Sequence, residues 1–112
     1  MTSKVKATKA TRLYRLQRAM FESLRPDPYA KTKPDLEALA RRHGLSQDEA
    51  TTLLARDIRA LYLIGVHSVL LNSFARANGL SREVYANLLS GLPTGLGTGH
   101  PATWEQGDET HG

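Results

Sequence analysis

The side chains able to do chemistry in this 112-residue chain are few and scattered. Four histidines stand at His43, His67, His100 and His111, and no two have the HxxxH or HxxE spacing that puts ligands on one helical face. A facial triad for ferrous iron needs two histidines and a carboxylate converging on one point. His100 and His111 fall in a glycine-rich, polar tail, which leaves one histidine from each of two separate helices. There is no cysteine, so thiolate nucleophiles, thiolate metal sites and disulfides are excluded. No serine elbow and no glycine-rich phosphate loop after a strand is present. Arg56-Asp57 is the most conspicuous charge pair. Read as mid-helix residues, the two serve interhelical salt bridges on a solvated or interface side ahead of any catalytic use. Catalysis by this chain alone is not expected.

The elements that would position these groups are helices. Residues 50–79 read ATTLLARDIRALYLIGVHSVLLNSFARANG and hold most of the large apolar side chains. Ala50, Leu53, Leu54, Ile58, Leu61 and Ile64 form one stripe at intervals of three and four. Val66, Val69, Leu70, Phe74 and Ala77 form a second stripe after Gly65. Between Leu61 and Leu71 nearly every residue is apolar, more than one buried stripe needs. Either the rest of this chain or another protein must cover the surplus.

Earlier in the chain, Leu13, Leu16, Met20 and Leu24 predict a first helix from Thr11, with Tyr14 and Phe21 widening its stripe. Arg25-Pro26-Asp27-Pro28 stops it, because proline restricts its predecessor and lacks an amide donor. Tyr29 to Lys33 reads as a loop. Pro34 is expected at the first position of a second helix, with Leu36, Leu39 and Ala40 buried, Arg41, Arg42 and His43 in the last turn, and Gly44 as a left-handed cap. Ser46 and Glu49 make a capping box for a third helix running from Gln47 to about Ile64, with Leu45 as a staple. Gly65 is a kink or a break before a fourth helix, Val66 to Ala77. Ser81 caps a fifth, short helix carrying Val84, Tyr85, Leu88 and Leu89. The expected fold is all-α: a small bundle of about five helices with disordered termini. Residues 1–10 read as a basic flexible leader, 11–92 as the helical domain, and 93–112 as a flexible glycine-rich and acidic tail with Trp104 as its hydrophobic anchor.

A sequence pI of about 9.7 raises the question of nucleic acid. The positive charge is local, however. Residues 1–25 carry seven Lys/Arg against Glu22 alone, residues 26–91 carry eight basic against seven acidic, and residues 92–112 carry three acids and no Lys/Arg. The basic end reads as a solvated leader. The order alanine, glycine four positions later, then a new helix at Ala40, Gly44 and Gln47 is similar to a helix-turn-helix. Such a helix would present Gln47, Asp48 and Glu49 to a phosphate backbone, and two carboxylates there are repulsive. DNA binding stands as the alternative reading, beside a stand-alone helical interaction module. No signal peptide core opens the chain, and the apolar run at 60–71 is too short to span a bilayer. A cytoplasmic protein is the expectation.

The blocks LLARDIRALYLIGVHSVLLNSFARANGLS and, after it, EVYANLLSG resemble the α-subunit family of protocatechuate 4,5-dioxygenase, an extradiol ring-cleaving enzyme. The residues that carry the likeness are Leu54-Ala55-Arg56-Asp57, Leu61, Gly65, Leu70-Leu71, Phe74 and Gly79, and it extends more loosely over residues 12–92. The resemblance implies a small helical subunit without iron ligands of its own. It would pack on a β-subunit that supplies Fe(II), help to roof a cleft where protocatechuate or a related catechol is cleaved with O2, and assemble as an α2β2 tetramer. Under that resemblance the face around Gly65–Gly79 meets the partner. His67, Leu71, Phe74, Arg56 and Asp57 are the candidate partner- or substrate-facing residues. Internal packing remains an equal alternative for Leu71 and Phe74. The chain departs from the longer family members after Gly79, where Leu80-Ser81-Arg82 leads directly into the next helix in place of an extended aromatic stretch.

Overall fold

A computed structural model describes residues 8–25 and 35–101. The expected loop Tyr29–Lys33, Pro34, Trp104 and His111 lie outside these described residues. Within them the fold is all-α, with six helices and no strand: α1 (Lys9–Leu24), α2 (Leu36–Arg42), α3 (Gln47–Leu54), α4 (Ile58–Ile64), α5 (Ser68–Ala77) and α6 (Arg82–Leu89).

Every helix start is built from a side chain that satisfies an orphan amide. Thr8 accepts from the Thr11 amide, so α1 begins two residues before the expected Thr11. Asp35 accepts from the Glu37 amide and is itself the cap of α2. This corrects the expected start at Pro34, since the capping carboxylate fixes the first helical residue as Leu36. At α3 the capping box forms as expected, with Ser46 Oγ accepting from the Glu49 amide and Glu49 Oε1 accepting from the Ser46 amide. Ser81 caps α6 through the Val84 amide.

The helix expected to run from Gln47 to Ile64 is two helices. Four helices in this fold end with the same paired backbone bonds, in which residue C″ reaches back to C3 and residue C′ to C2. The pairs are Leu45 to Ala40 with Gly44 to Arg41, Val66 to Leu61 with Gly65 to Tyr62, and Leu80 to Ala75 with Gly79 to Arg76. The fourth is Asp57 to Thr52 with Arg56 to Leu53. Three of these ends place glycine in the left-handed position, but here Arg56 occupies it at φ 51°. Arg56 holds that backbone through its own guanidinium, which donates to the Leu54 carbonyl at 2.6 Å and to Asn78 Oδ1 at 3.0 Å. Asp57 then caps α4 by accepting from the Ala60 amide at 3.1 Å. Arg56→Ala keeps the left-handed strain and loses both bonds, whereas Arg56→Gly loses the bonds and the strain. Glycine is therefore expected to be the more stable of the two by about 1 kcal/mol. Urea midpoints of the two variants check this, and equal midpoints would remove strain from the account.

The core comes from five helices. Leu13, Leu16, Ala19 and Met20 of α1 meet Leu36 and Leu39 of α2, Leu53 of α3, Ile58 and Leu61 of α4, and Leu71, Phe74 and Ala75 of α5, with Val66 from the α4–α5 junction. Helix α1 packs against both α5 and α2. Helix α6 buries nothing completely. It rests Tyr85, Leu88 and Leu89 on α4 and α5. Of the apolar run 61–71, Leu61, Val66 and Leu71 enter this core, whereas Leu63, Ile64 (expected in the buried stripe) and Val69 stay exposed, because the turn at Gly65 interrupts the helical period.

Gly65 is a true break. It ends α4 at φ 115°, and α5 starts only at Ser68, with His67 as its cap. Residues expected to belong to a flexible tail close over this junction. The Tyr62 hydroxyl donates to the Pro93 carbonyl at 2.7 Å, the Ser68 amide to the Gly97 carbonyl at 2.9 Å, and the Gly99 amide to the Gly65 carbonyl at 2.9 Å. The physical reason is the break itself: Ser68, at the first position of α5, brings an amide with no partner inside the helix, and the Gly97 carbonyl supplies one.

Candidate functional site

The register of α5 decides which apolar residues face outward. The expected stripe through Val69 and Ala77 is rotated, because the helix starts at Ser68 and buries Leu71, Phe74 and Ala75. Val69 is left 66% exposed, the highest value among the large apolar side chains of the described residues. Across from it on α1, Phe21 is 42% exposed, although the sequence pattern counted it with the buried stripe. Between them runs an open groove of ≈ 590 Å³, lined by Phe21, Leu24, Val69 and Leu70, with Arg25, His67 and Ser73 as its polar members. Arg18 and Arg25 lie over the Phe21 ring at 5.8 and 5.5 Å, so the α1 wall is both aromatic and cationic.

His67 is fixed at one end of this groove. Its Nδ1 accepts from the Val69 amide at 3.1 Å, which places the proton of the neutral ring on Nε2. Its backbone amide donates to Gln17 Oε1 at 2.7 Å, and Gln17 Nε2 donates in turn to the Gly99 carbonyl at 3.3 Å. Gln17 thus ties α1, the α5 cap and the returning chain together. It drew no notice in the sequence, since an isolated glutamine off an apolar stripe carries no spacing signal.

The other expected site residues do not join this groove. Leu71 and Phe74 have no exposed surface and belong to the chain's own core, which removes them from any partner-facing set. Arg56 and Asp57 are exposed but are not a mid-helix pair. They form the junction between α3 and α4, Asp57 as a cap and Arg56 as the left-handed residue. Their chemistry is spent on backbone bonds.

His43, expected to decorate the end of α2, reaches α1 instead. Its Nε2 lies 3.2 Å from Glu22 Oε2, close enough for an ion pair when the ring is protonated but without hydrogen-bond alignment. Glu22 also meets Arg42 at 3.4 Å and Arg18 at 3.9 Å. His43 and His67 therefore address Glu22 and Gln17, residues that point about 140° apart around α1. Among the described residues no group of three or more His, Asp or Glu side chains converges as a metal site.

Helices α2 and α3 border a second, open hollow of ≈ 510 Å³ lined by Ala40, Ser46 and Ala50 and by the Glu37–Arg41 ion pair at 3.2 Å. On the same helix α3, outside that hollow, Glu49 is engaged twice, by its capping box and by Arg12 Nε at 2.9 Å. On the α4–α6 side, the Tyr85 phenol is pushed above its ordinary range, first by burial and then by the neighbouring Tyr62.

Comparison with family models, curated proteins and solved structures gives no match for this chain. Among the described residues, no helix is long and apolar enough to cross a membrane.

Proposed function

We propose that this chain is the non-catalytic small (α) subunit of an extradiol aromatic ring-cleavage dioxygenase, acting in the cytoplasm. Its partner is a β-subunit that holds Fe(II) and cleaves a catechol such as protocatechuate, in an assembly of α2β2 type. The observation that carries the reading is the groove between α1 and α5. One wall lies within residues 53–79, the block with the strongest resemblance to that family, and it leaves Val69, His67 and Leu70 accessible where a partner would pack. An exposed aliphatic residue beside an aromatic one, edged by cationic and imidazole groups, has the composition of an interface core with a polar rim. Of the five site residues first favoured, His67 keeps a place in this reading. Val69 and Phe21 replace Leu71 and Phe74 as its apolar contacts.

The test is reconstitution. The purified chain with Fe(II) and protocatechuate is expected to give no ring cleavage, and an extradiol β-subunit that co-purifies with it is expected to give cleavage that rises when the chain is added. V69D puts a carboxylate in the apolar floor and is expected to weaken assembly at least about tenfold, the loss of one well-buried contact. Turnover by the chain alone would sink the proposal. Recovery of DNA with no dioxygenase-like protein would favour the helix-turn-helix alternative.

A further inference from the structure

We infer that in the free chain the groove between α1 and α5 is occupied by the chain's own segment 102–112, with Trp104 seated on Phe21 and Val69. The inference rests on the groove and on the path of the chain, and holds whether or not a dioxygenase is the partner.

The path comes first. The returning chain is held at Gly99 by two hydrogen bonds, from its amide to the Gly65 carbonyl and to its carbonyl from Gln17. At Gly99 it also lies against the His67 ring: a side chain built there would meet His67 Cβ and Cδ2 at 3.5 Å. His67 is itself part of the groove wall. Trp104 follows Gly99 by five residues, a span of at most about 17 Å in extended chain. An anchored segment that starts beside a groove meets it at an effective concentration in the millimolar range, before any outside partner can compete.

Chemistry selects the same occupant. Trp104 is the sole tryptophan and the one large apolar side chain after Pro101. An indole suits a floor of Phe21, Leu24, Val69 and Leu70, and its N–H can remain at the wet edge near Ser73. The residues after it, Glu105, Asp108 and Glu109, are acidic, with no Lys or Arg among them. They would run past the wall carrying Arg18 and Arg25, whose guanidinium groups already sit above Phe21. A second copy of this chain would instead bring its own arginines against these, with like charges opposed. Assembly with a partner subunit would then exchange Trp104 for the partner at the same surface.

Because Trp104 is the sole tryptophan, the intrinsic fluorescence of the full chain reads its surroundings directly. Emission shifted to the blue of free tryptophan amide, with several-fold weaker quenching by acrylamide, is expected. V69D and, on the opposite wall, Phe21→Ser should each move both readouts to the values of exposed tryptophan while the far-ultraviolet circular dichroism stays helical. Both positions are substantially exposed, and aspartate in the first turn of α5 suits the helix dipole, so folding is retained. Fully exposed emission in the unsubstituted chain would overturn the inference. So would protection that neither substitution changes, since Trp104 would then lie elsewhere. Protection that disappears on dilution would assign the contact to a second copy and overturn it equally.

Discussion

Gly65→Ala is expected to cost about 3 kcal/mol, more than any other glycine substitution among the described residues. Two separate penalties meet at this residue. The backbone at φ 115° lies beyond the left-handed helical region that alanine tolerates even at a cost. A Cβ there would also run into the carbonyl oxygen of His100, with Leu13 Cδ2 only 3.4 Å away. Neither neighbour can yield freely, because His100 follows Gly99, which is hydrogen-bonded to Gly65, and Leu13 is a core residue. By contrast, a Cβ at Gly79 or Gly91 meets nothing within 4 Å, so alanine there should cost only the strain, about 1 kcal/mol. Urea denaturation followed by circular dichroism separates the cases. A chain ending at Leu96 separates the two penalties: in it Gly65→Ala should fall to the cost of strain alone. An equal cost in both lengths would mean that residues 97–101 do not press on the junction.

That junction also marks the boundary of what the sequence makes legible. The stripe of α1, the capping box at Ser46 and Glu49, and the glycine stop at Gly44 are local signals, each complete within one helix or one helix end, and together they give the all-α class. They were readable for that reason. The break at Arg56 was not, because its stop signal is a glycine preference that an arginine overrides with its own side-chain bonds. The apolar period passes undisturbed from Leu53 and Leu54 to Ile58 and Leu61 across the break, so periodicity alone reports one helix. The same blindness affected α5. His67 is the cap and α5 starts at Ser68, two residues after the expected Val66, so Val66 does not share the helix period with Val69, and α5 turns Val69 outward and Leu71 inward. The glycines after Thr94 carry no sequence pattern that marks structure. Gly97 in fact sits buried at φ 82°, with its carbonyl on the Ser68 amide and Ser68 Cβ 3.2 Å from where its own Cβ would be. A long-range contact of this kind leaves no periodic trace.

The short helices have a consequence for the groove. Each interruption between α3, α4 and α5 is closed by paired backbone bonds and a side-chain cap, so the turns hold fixed directions. The exposed face of α5 is therefore set by the turn at Gly65 through His67, and Gln17 connects that turn to α1, the opposite wall. The surface available to a partner is built from the same contacts that fold the chain.

Phe74→Ala provides the sharpest separation between core and surface on α5. Phe74 is fully buried among α1, α4 and α5, and is among the largest side chains so enclosed. Truncating such a residue removes its transfer free energy and leaves a cavity that the neighbours only partly fill, about 3–5 kcal/mol in all. A domain of this size has about 5–15 kcal/mol of stability, so the isolated chain should lie close to its folding threshold. Val69→Ala, five residues earlier on the same helix, should cost less than about 0.5 kcal/mol in the isolated chain, because its side chain is already in water. If Phe74 instead served a partner, the pattern would reverse: Phe74→Ala would leave the isolated chain's urea midpoint almost unchanged and affect only assembly. A loss below about 1 kcal/mol in the isolated chain would refute its place in the core. The expected outcome divides α5 cleanly, with Leu71, Phe74 and Ala75 holding the bundle together and Val69, His67 and Leu70 left to meet whatever occupies the groove.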